Sequence, residues 1–395
     1  MRSSTIGLAL AAAVLLASPA GAAEIKIGFI GVFTGPDSST GLEIERGADL
    51  YVKTHKVPGG HTLNMLKRDT AGPAPDRAKR LAEELVVRDK VVLITGVQYS
   101  NEGFAIMDVC RDAKIPILVM MAAANGMTDA CPYSARVSFG TWAASFPMGQ
   151  YAFEKMGIKT AAMAYANYAP GKDASAAFKA GFEKAGGQLL DEVPFPFPQV
   201  PDFTPFIQRL KDKKPQGVYL FVPSGKWATG VMKTYNELGM REAGIKLLAT
   251  GDLVAEGELP NMGDVPLGVT TIYHYSAVGK RPENIEFVRL WKEAYGKDSD
   301  PAFYAAQGWD GMAAVYHVIE KTGGKITPDG FLAAIKGWQY ASPRGPLLID
   351  PETRDAVQNQ YVRVVQKVDG RLANVEIDTI PMVKDPWRIY GKKPQ

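Results

Sequence analysis

Cysteine and histidine are nearly missing from this chain. Two cysteines, Cys110 and Cys131, and four histidines, His55, His61, His274 and His317, are all that 395 residues hold. A structural zinc centre draws four ligands from Cys and His at short spacings, so no metal and no cofactor is expected. His55 and His61 flank the Pro58-Gly59-Gly60 turn, but two histidines alone make no zinc site. His317 falls in the apolar stretch Met312–Ile319 and reads as a helix residue, not a base. An excess of one charge is missing too. Lys and Arg total 45 against 42 Asp and Glu, scattered along the chain, so there is no basic footprint for nucleic acid. No Gly-x-Gly-x-x-Gly follows the first apolar strand, which removes the dinucleotide fingerprint. No Gly-x-Ser-x-Gly elbow appears, and Gly225-Lys226 is followed by Trp227 where a phosphate loop needs Ser or Thr. Carboxylates are many, but no pair reads as a catalytic dyad. An enzyme is therefore not expected. Past the N-terminus no apolar run suits a membrane span: Val86–Thr95 is broken by Arg88, Asp89 and Lys90.

What is present begins with a secretory signal. Arg2 supplies a positive n-region, Ile6–Ala17 an apolar core, and Ser18–Ala23 a small-residue cleavage region. Cleavage is expected near Ala22 or Ala23, leaving residues 1–23 as signal peptide and a chain exported to the periplasm. No cysteine stands at the cleavage region, so no lipid anchor is expected there. In an oxidising compartment Cys110 and Cys131 read either as one disulfide or as two thiols. A mature chain of about 370 residues exceeds one ordinary core, so two domains are the default.

Periodicity then alternates. Glu24–Gly31 reads as a strand, and Gly41, Ile44, Gly47, Ala48 and Tyr51 recur at helical spacing. Leu63–Lys67 reads as a strand, Asp76–Lys90 as a helix, Val91–Thr95 as a strand, a helix starts near Asn101, and Ile115–Met121 is a fourth strand. After a break near Phe139–Ala143 the alternation resumes: strands at Thr160–Ala164, Gln188–Pro194, Gly217–Val222 and Lys246–Thr250, helices at Asp173–Ala185, Thr204–Lys211 and Lys226–Leu238. Pro205 sits in the first turn of its helix, where proline is tolerated. Such alternation predicts an α/β fold of two similar three-layer lobes with central parallel sheets. Ligands bind beyond the carboxyl ends of parallel strands, so two facing lobes define one hinged cleft.

Four stretches, in this order and spacing, resemble the leucine/isoleucine/valine-binding type of periplasmic protein, in the type I periplasmic-binding fold. They are Ile25-Lys26-Ile27-Gly28 through Thr34-Gly35-Pro36; Cys131-Pro132-Tyr133 with Arg136-Val137-Ser138-Phe139; Gln307-Gly308-Trp309-Asp310; and Ser342-Pro343-Arg344-Gly345-Pro346 running on to Gln358-Asn359-Gln360-Tyr361-Val362-Arg363. The resemblance covers the whole mature chain. It implies that the chain changes lobes near Ser138, Tyr273 and Gly345, so that lobe one is 24–138 with 273–344 and lobe two is 139–272 with 345–395.

The resemblance also implies where a ligand sits. On lobe one, the loops Gln98-Tyr99-Ser100-Asn101 and Ala122-Ala123-Ala124 would hold a carboxylate through a hydroxyl and backbone amides, with Ser100 as the hydroxyl donor or simply a helix cap. Many relatives carry threonine where this chain has Ala123 or Ala124, so one hydroxyl is lost. On lobe two, Tyr168, with Tyr165 nearby, would cover the ligand body or else only pack. The loop around Ser224 follows. Asp252 would pair a ligand ammonium or cap the next turn. Phe33, Tyr99, Phe139, Trp142, Tyr168 and Trp227 concentrate near this cleft and suit a flat or apolar ligand. The Ser-Pro-Arg-Gly-Pro and Gln-Gly-Trp-Asp stretches look similar to the branch that binds aromatic acids, so hydrophobic amino acids and aromatic carboxylates both stay open as cargo. The function implied is capture by closure and delivery to an ABC permease of the inner membrane, by a monomer. A sensor subunit feeding a receptor is the alternative, an enzyme on this fold comes behind it, and the export signal disfavours a DNA-binding regulator.

Overall fold

The structure is a computed structural model that describes residues 22–35 and 38–391. The signal-peptide reading lies outside these residues except at Ala22 and Ala23, as do Pro36 and Asp37 of the first turn. In chain order come β1 (Glu24–Gly31), α1 (Ser38–Thr54), β2 (Thr62–Asp69), α2 (Pro75–Val87), β3 (Ile94–Gly96), α3 (Ser100–Ala113), β4 (Ile117–Val119) and β5 (Ser134–Arg136). Their strands make one wholly parallel sheet in the order β2-β1-β3-β4-β5. β1 is buried on both faces, through Ile25, Ile27, Phe29 and Ile30, which is why it reads as a continuous apolar run. α2 buries Ala78, Ala82 and Leu85 at helical spacing.

The chain then passes to a second sheet through α4 (Trp142–Glu154), β6 (Thr160–Ala166), α5 (Ala169–Lys184), β7 (Gln188–Phe195), α6 (Thr204–Asp212), β8 (Gly217–Phe221), α7 (Lys226–Glu237), β9 (Lys246–Thr250) and β10 (Thr270–Tyr273). Next, α8 (Pro282–Tyr295), α9 (Phe303–Thr322) and α10 (Pro328–Ile335) return to the first sheet's side, where α8 and α9 pack on α1 and α10 packs on α9. Last come β11 (Gln339–Ser342), β12 (Gly345–Ile349), β13 (Ala356–Val368) and β14 (Arg371–Val383). The second sheet runs β11-β12-β13-β10-β9-β8-β6-β7, with β14 also on β13. Only β7, β6, β8, β9 and β10 are parallel; β10, β12 and β14 all pair antiparallel with β13, and β11 with β12. This sheet is thus mixed, where alternation alone predicts a parallel one. β11, which precedes Gly345, already pairs in the second sheet.

Two glycines set how closely α1 and α9 cross. A Cβ on Gly47 would stand 2.0 Å from the Ala305 carbonyl oxygen, and one on Gly308 2.0 Å from that of Ile44. The two backbones therefore touch, and α9 lies so that its first turn reaches past the sheet edge.

The passages between the sheets are clamped by one guanidinium. Arg344 donates to Asp310 Oδ2 (2.6 Å), Gln358 Oε1 (2.8 Å) and the Val137 carbonyl (2.8 Å). Gln358 donates to the Ser138 carbonyl (2.8 Å), and Ser342 to Asp310 (2.7 Å). Arg344 and Asp310 are fully buried.

Two further ties flank this hinge. Cys110 and Cys131 are joined by a disulfide, which closes α3 onto the loop after β4. The final turn, Trp387–Gly391, lies across both halves. Trp387 sits over Gly126, Arg388 pairs with Asp129 (2.6 Å), and Tyr390 stacks on Phe146 of α4 at 4.7 Å.

Candidate functional site

Both sheets aim the carboxyl ends of their parallel strands at one cleft, whose space is ≈ 850 Å³ with its mouth included. From the first half it is lined by Ser39 and Thr40 after β1, Gln98, Tyr99 and Ser100 after β3, and Met121 and Ala123 after β4. From the second half it is lined by Tyr168 and Pro170 after β6, Phe197 and Pro198 after β7, Phe221 to Trp227 around the end of β8, and Asp252 after β9. Tyr304 enters from the first turn of α9, and Phe139 from the passage between sheets. The strand-end rule for parallel sheets thus accounts for nearly every lining residue.

The polar end of the cleft is built from helix starts. α3 begins at it, and α5, α7 and α9 begin around the rest of the cleft; none of the four has a capping side chain at its N-cap residue, while within α3 Asn101 Oδ1 takes the Glu102 N–H. α1 begins there with Ser39 and Thr40. Uncapped first-turn N–H groups with the positive end of the helix dipole favour an anion. Ser100 is buried and its Oγ accepts the Ala124 N–H at 3.0 Å. That bond fixes the loop after β4 and leaves the Ser100 proton to donate. Gln98 braces α1, donating to Thr40 Oγ1 (2.6 Å) and accepting from the Val32 N–H (3.3 Å).

The other wall is aromatic. Tyr168 stacks on Phe197 (4.5 Å, 12°), and Phe197 meets Trp227 at 5.9 Å, itself edge-on to Phe203 at 5.7 Å. Ring stacks of this kind give a flat, stiff surface for a ring or an apolar chain.

Asp252 also lines the cleft, 5 % exposed. Both of its side-chain bonds fall on Oδ2, from Thr250 Oγ1 (2.8 Å) and Tyr273 OH (3.0 Å). Burial lifts its pKa to about 6, against those two donors and Arg363. Ser224 donates to the Asp252 carbonyl (2.6 Å) and accepts from Tyr304 OH (2.9 Å). One chain of hydrogen bonds therefore runs from α9 across the cleft to the turn that holds Asp252.

Of the residues singled out from sequence, Tyr99, Ser100, Ala123, Tyr168, Ser224 and Asp252 meet at this cleft. Asn101, Ala122 and Phe33 do not line it. Asn101 is exposed on the outer side of α3, where Oδ1 accepts the Glu102 N–H. Ala122 is buried one residue too early, its carbonyl held by Arg136 (3.2 Å). Phe33 turns back to stack on Phe29 at 5.9 Å, its N–H bound by Asp69. Tyr165 and Trp142 also stay off the lining; Trp142 packs on Phe146. Ser39, Thr40, Tyr304, Phe197 and Phe221 were not anticipated. The Ser38-Ser39-Thr40 run directly after the first strand was a usable signal for a polar first turn. Nothing local marks Tyr304, which arrives only because α1 and α9 cross so closely.

A second carboxyl beside this site is strained in its own way. Glu102, fully buried on α3, accepts the Ala74 N–H at 3.2 Å, and burial raises its pKa to about 7. Its folded pKa exceeds its unfolded value of 4.5. It therefore favours the fold below about pH 4.5, and that contribution is lost as pH rises through about 7. Glu102→Gln is expected to leave stability nearly unchanged at pH 4 and to raise it by about 1–3 kcal/mol at pH 8. Urea melts at the two pH values decide it; equal stability of both proteins at pH 8 would mean that Glu102 is not held protonated.

Residues 24–371 match the family model described as periplasmic binding protein. The Leu/Ile/Val-binding protein homolog 6 of Brucella melitensis is 39% identical over 381 residues, 96% of this chain and 97% of that protein. A solute-binding protein of an ABC transporter from Rhodopseudomonas palustris BisB5, solved with 3,4-dihydroxybenzoic acid, superposes with a TM-score of 0.88 at 42% identity, over 92% of this chain and 99% of that one. A second, from Rhodopseudomonas palustris HaA2 with p-hydroxybenzoic acid, gives 0.90 at 37% identity, over 93% and 100%.

Proposed function

Since the chain belongs to the periplasmic binding protein family, we propose that it captures a hydroxylated aromatic carboxylate in the periplasm by closure of two lobes and delivers it to an ABC permease, without chemistry of its own. The lobes are one around each sheet, with α8–α10 on the first and β11–β14 on the second. The cargo's carboxylate lies at the starts of α1 and α3, beside Ser39, Thr40 and Ser100. Its ring lies along Tyr168, Phe197 and Trp227, and a ring hydroxyl reaches Asp252 Oδ1.

The observation that carries this reading is the make-up of the cleft: helix-start amides beside Ser100, a stacked aromatic wall, and Asp252 as the carboxylate among the lining residues. The two solved relatives above were each bound to a benzoic acid with one or two hydroxyls. A second reading has one specific support. The same Asp252 oxygen would pair an ammonium, which suits a hydrophobic amino acid, and the Brucella relatives carry the Leu/Ile/Val-binding name.

A thermal-shift panel of 4-hydroxybenzoate, 3,4-dihydroxybenzoate, benzoate, leucine, isoleucine, valine and phenylalanine separates the two. A ligand at about a hundred times its Kd adds roughly 2.7 kcal/mol to the folded state. Hydroxybenzoates are expected to shift Tm and the amino acids are not. Asp252→Ala is expected to weaken 4-hydroxybenzoate about 10-fold, the scale of one hydrogen bond to a charged group, and benzoate hardly at all. Binding of leucine alone, abolished by Asp252→Ala, would move the assignment to amino acids.

A further inference from the structure

Of the contacts between the halves that lie outside the cleft lining, one is made by a backbone amide of a ligand-facing loop. Asn125 belongs to the loop after β4, two residues beyond Ala123, which lines the cleft. Its backbone N–H donates to Asp173 Oδ2 at 2.9 Å. Asp173 sits on α5, which packs on α4 and on β6, β7 and β8 of the other half. The loop is braced from its own side as well. Ser100 Oγ accepts the Ala124 N–H, and Arg136 on β5 donates to the carbonyls of Ala122 (3.2 Å) and Ala124 (2.8 Å). Thr141, at the start of the passage into the second half, donates its N–H and its hydroxyl to the Ala123 carbonyl at 3.0 Å, and Val97 accepts the Ala122 N–H; Asp173 is the partner that reaches this stretch from the α5 helix of the opposite half.

We infer that Asp173 is the closure latch of this protein: a positioning residue that engages the Asn125 amide only when the lobes shut, fixes the ligand-facing loop in its closed shape and slows release of the cargo. Asp173 is not among the residues that line the cleft, so it acts on the ligand through the loop. The inference takes the binding and closure of the proposed function as its frame and adds a residue which that reading does not use.

The latch is tuned by charge. Arg136 is the charged group facing Asp173; beyond it, on the final segment, Asp385 binds the Asn125 side chain, with Asp355 and Arg388 close by. Burial at the junction pushes Asp173 up to about 6, against the Asn125 amide and Arg136. In an open protein the group is returned to water. The closed form therefore holds its proton more tightly than the open form, and protonation favours closure. Ionisation of Asp173 opposes closure, so affinity falls as pH rises through about 6 and then levels off. A protonated carboxyl still accepts the amide through its carbonyl oxygen, so the latch contact itself survives in acid.

The test compares wild type, Asp173→Asn and Asp173→Ala by stopped-flow binding and release of 4-hydroxybenzoate at pH 5 and pH 7.5. Asparagine keeps the acceptor without the charge. At pH 7.5 Asp173→Asn is expected to release ligand more slowly than wild type, by about threefold or more, with an unchanged association rate, and the gap narrows at pH 5. Asp173→Ala, with no acceptor, is expected to release faster than Asp173→Asn at both pH values. Asp252 titrates in the same range but identically in all three proteins, so only differences between them are read. Release rates of Asp173→Asn and wild type that match at both pH values overturn the latch, as does an effect confined to association. If 4-hydroxybenzoate does not bind wild type, the cargo assignment fails, and the latch is judged on ligand-free protein by X-ray scattering. Wild type should then be more compact at pH 5 than at pH 7.5 and Asp173→Asn equally compact at both; a pH response shared by the two overturns it.

Discussion

Arg344→Ala is expected to lower the unfolding free energy by about 3–5 kcal/mol, the cost of stripping one partner from a buried ion pair. Arg344 is 1% exposed and Asp310 is wholly buried. Alanine leaves the Asp310 carboxylate with only the Ser342 hydroxyl, and leaves the Val137 carbonyl without its donor. Neither loss can be repaired by water without opening the hinge. The pair itself need not be net stabilising, because two charges were desolvated to form it. A double replacement, Arg344→Met with Asp310→Leu, is therefore expected to be less damaging than Arg344→Ala alone. Denaturant midpoints for the three proteins settle the matter. A loss under about 1 kcal/mol for Arg344→Ala would show that the cluster is hydrated and not a clamp.

That clamp also explains what was legible in the sequence. Arg136–Phe139, Gln307–Asp310, Ser342–Pro346 and Gln358–Arg363 are far apart in the chain and were individually unremarkable. In the structure Val137, Ser138, Asp310, Ser342, Arg344 and Gln358 form one hydrogen-bonded cluster. A family pattern made of these stretches is a pattern of hinge chemistry, not of ligand contacts, which is why it located the fold better than the cargo. The parallel strands were readable because each is short, apolar and followed by a helix. β13 was not: it has neighbours on both edges and is buried on both faces over Ala356–Tyr361 save Asn359, so it lacks the alternation of an ordinary antiparallel strand. α4 was hidden for a similar reason. It is buried nearly all round and carries Pro147 within it, which argues against a helix when read locally. In the site, Ser100 and Asp252 follow strands and could be found by counting. Tyr304 could not, since its partner Ser224 lies 80 residues away on the opposite half and only the tertiary crossing of α9 on α1 brings the two together.

Gly308→Ala is expected to destabilise the protein by about 3 kcal/mol and to weaken ligand binding at the same time. Helix propensity alone favours alanine by about 1 kcal/mol. The packing term opposes it and wins, because the new Cβ would lie 2.0 Å from the Ile44 carbonyl oxygen, a backbone atom that cannot swing aside. α1 and α9 must separate. Tyr304, one turn earlier on α9, would then lose its 2.9 Å bond to Ser224 across the cleft. Urea melts report the first effect and isothermal titration with 4-hydroxybenzoate the second. A variant as stable as wild type would mean that the two helices have slack at this crossing. A destabilised variant with unchanged affinity would detach Tyr304 from the bound state.

The last turn of the chain has an optical consequence. Trp387 rests on Gly126 of one half while its neighbour Tyr390 stacks on Phe146 of the other, and Trp227 lies on the cleft wall. Of the six tryptophans, two are thus placed to sense different events, Trp227 the arrival of a ring beside it and Trp387 the angle between the halves. Emission from Trp227→Phe and Trp387→Phe proteins separates occupancy from movement without any attached dye, and turns the order of those two steps into something that can be timed.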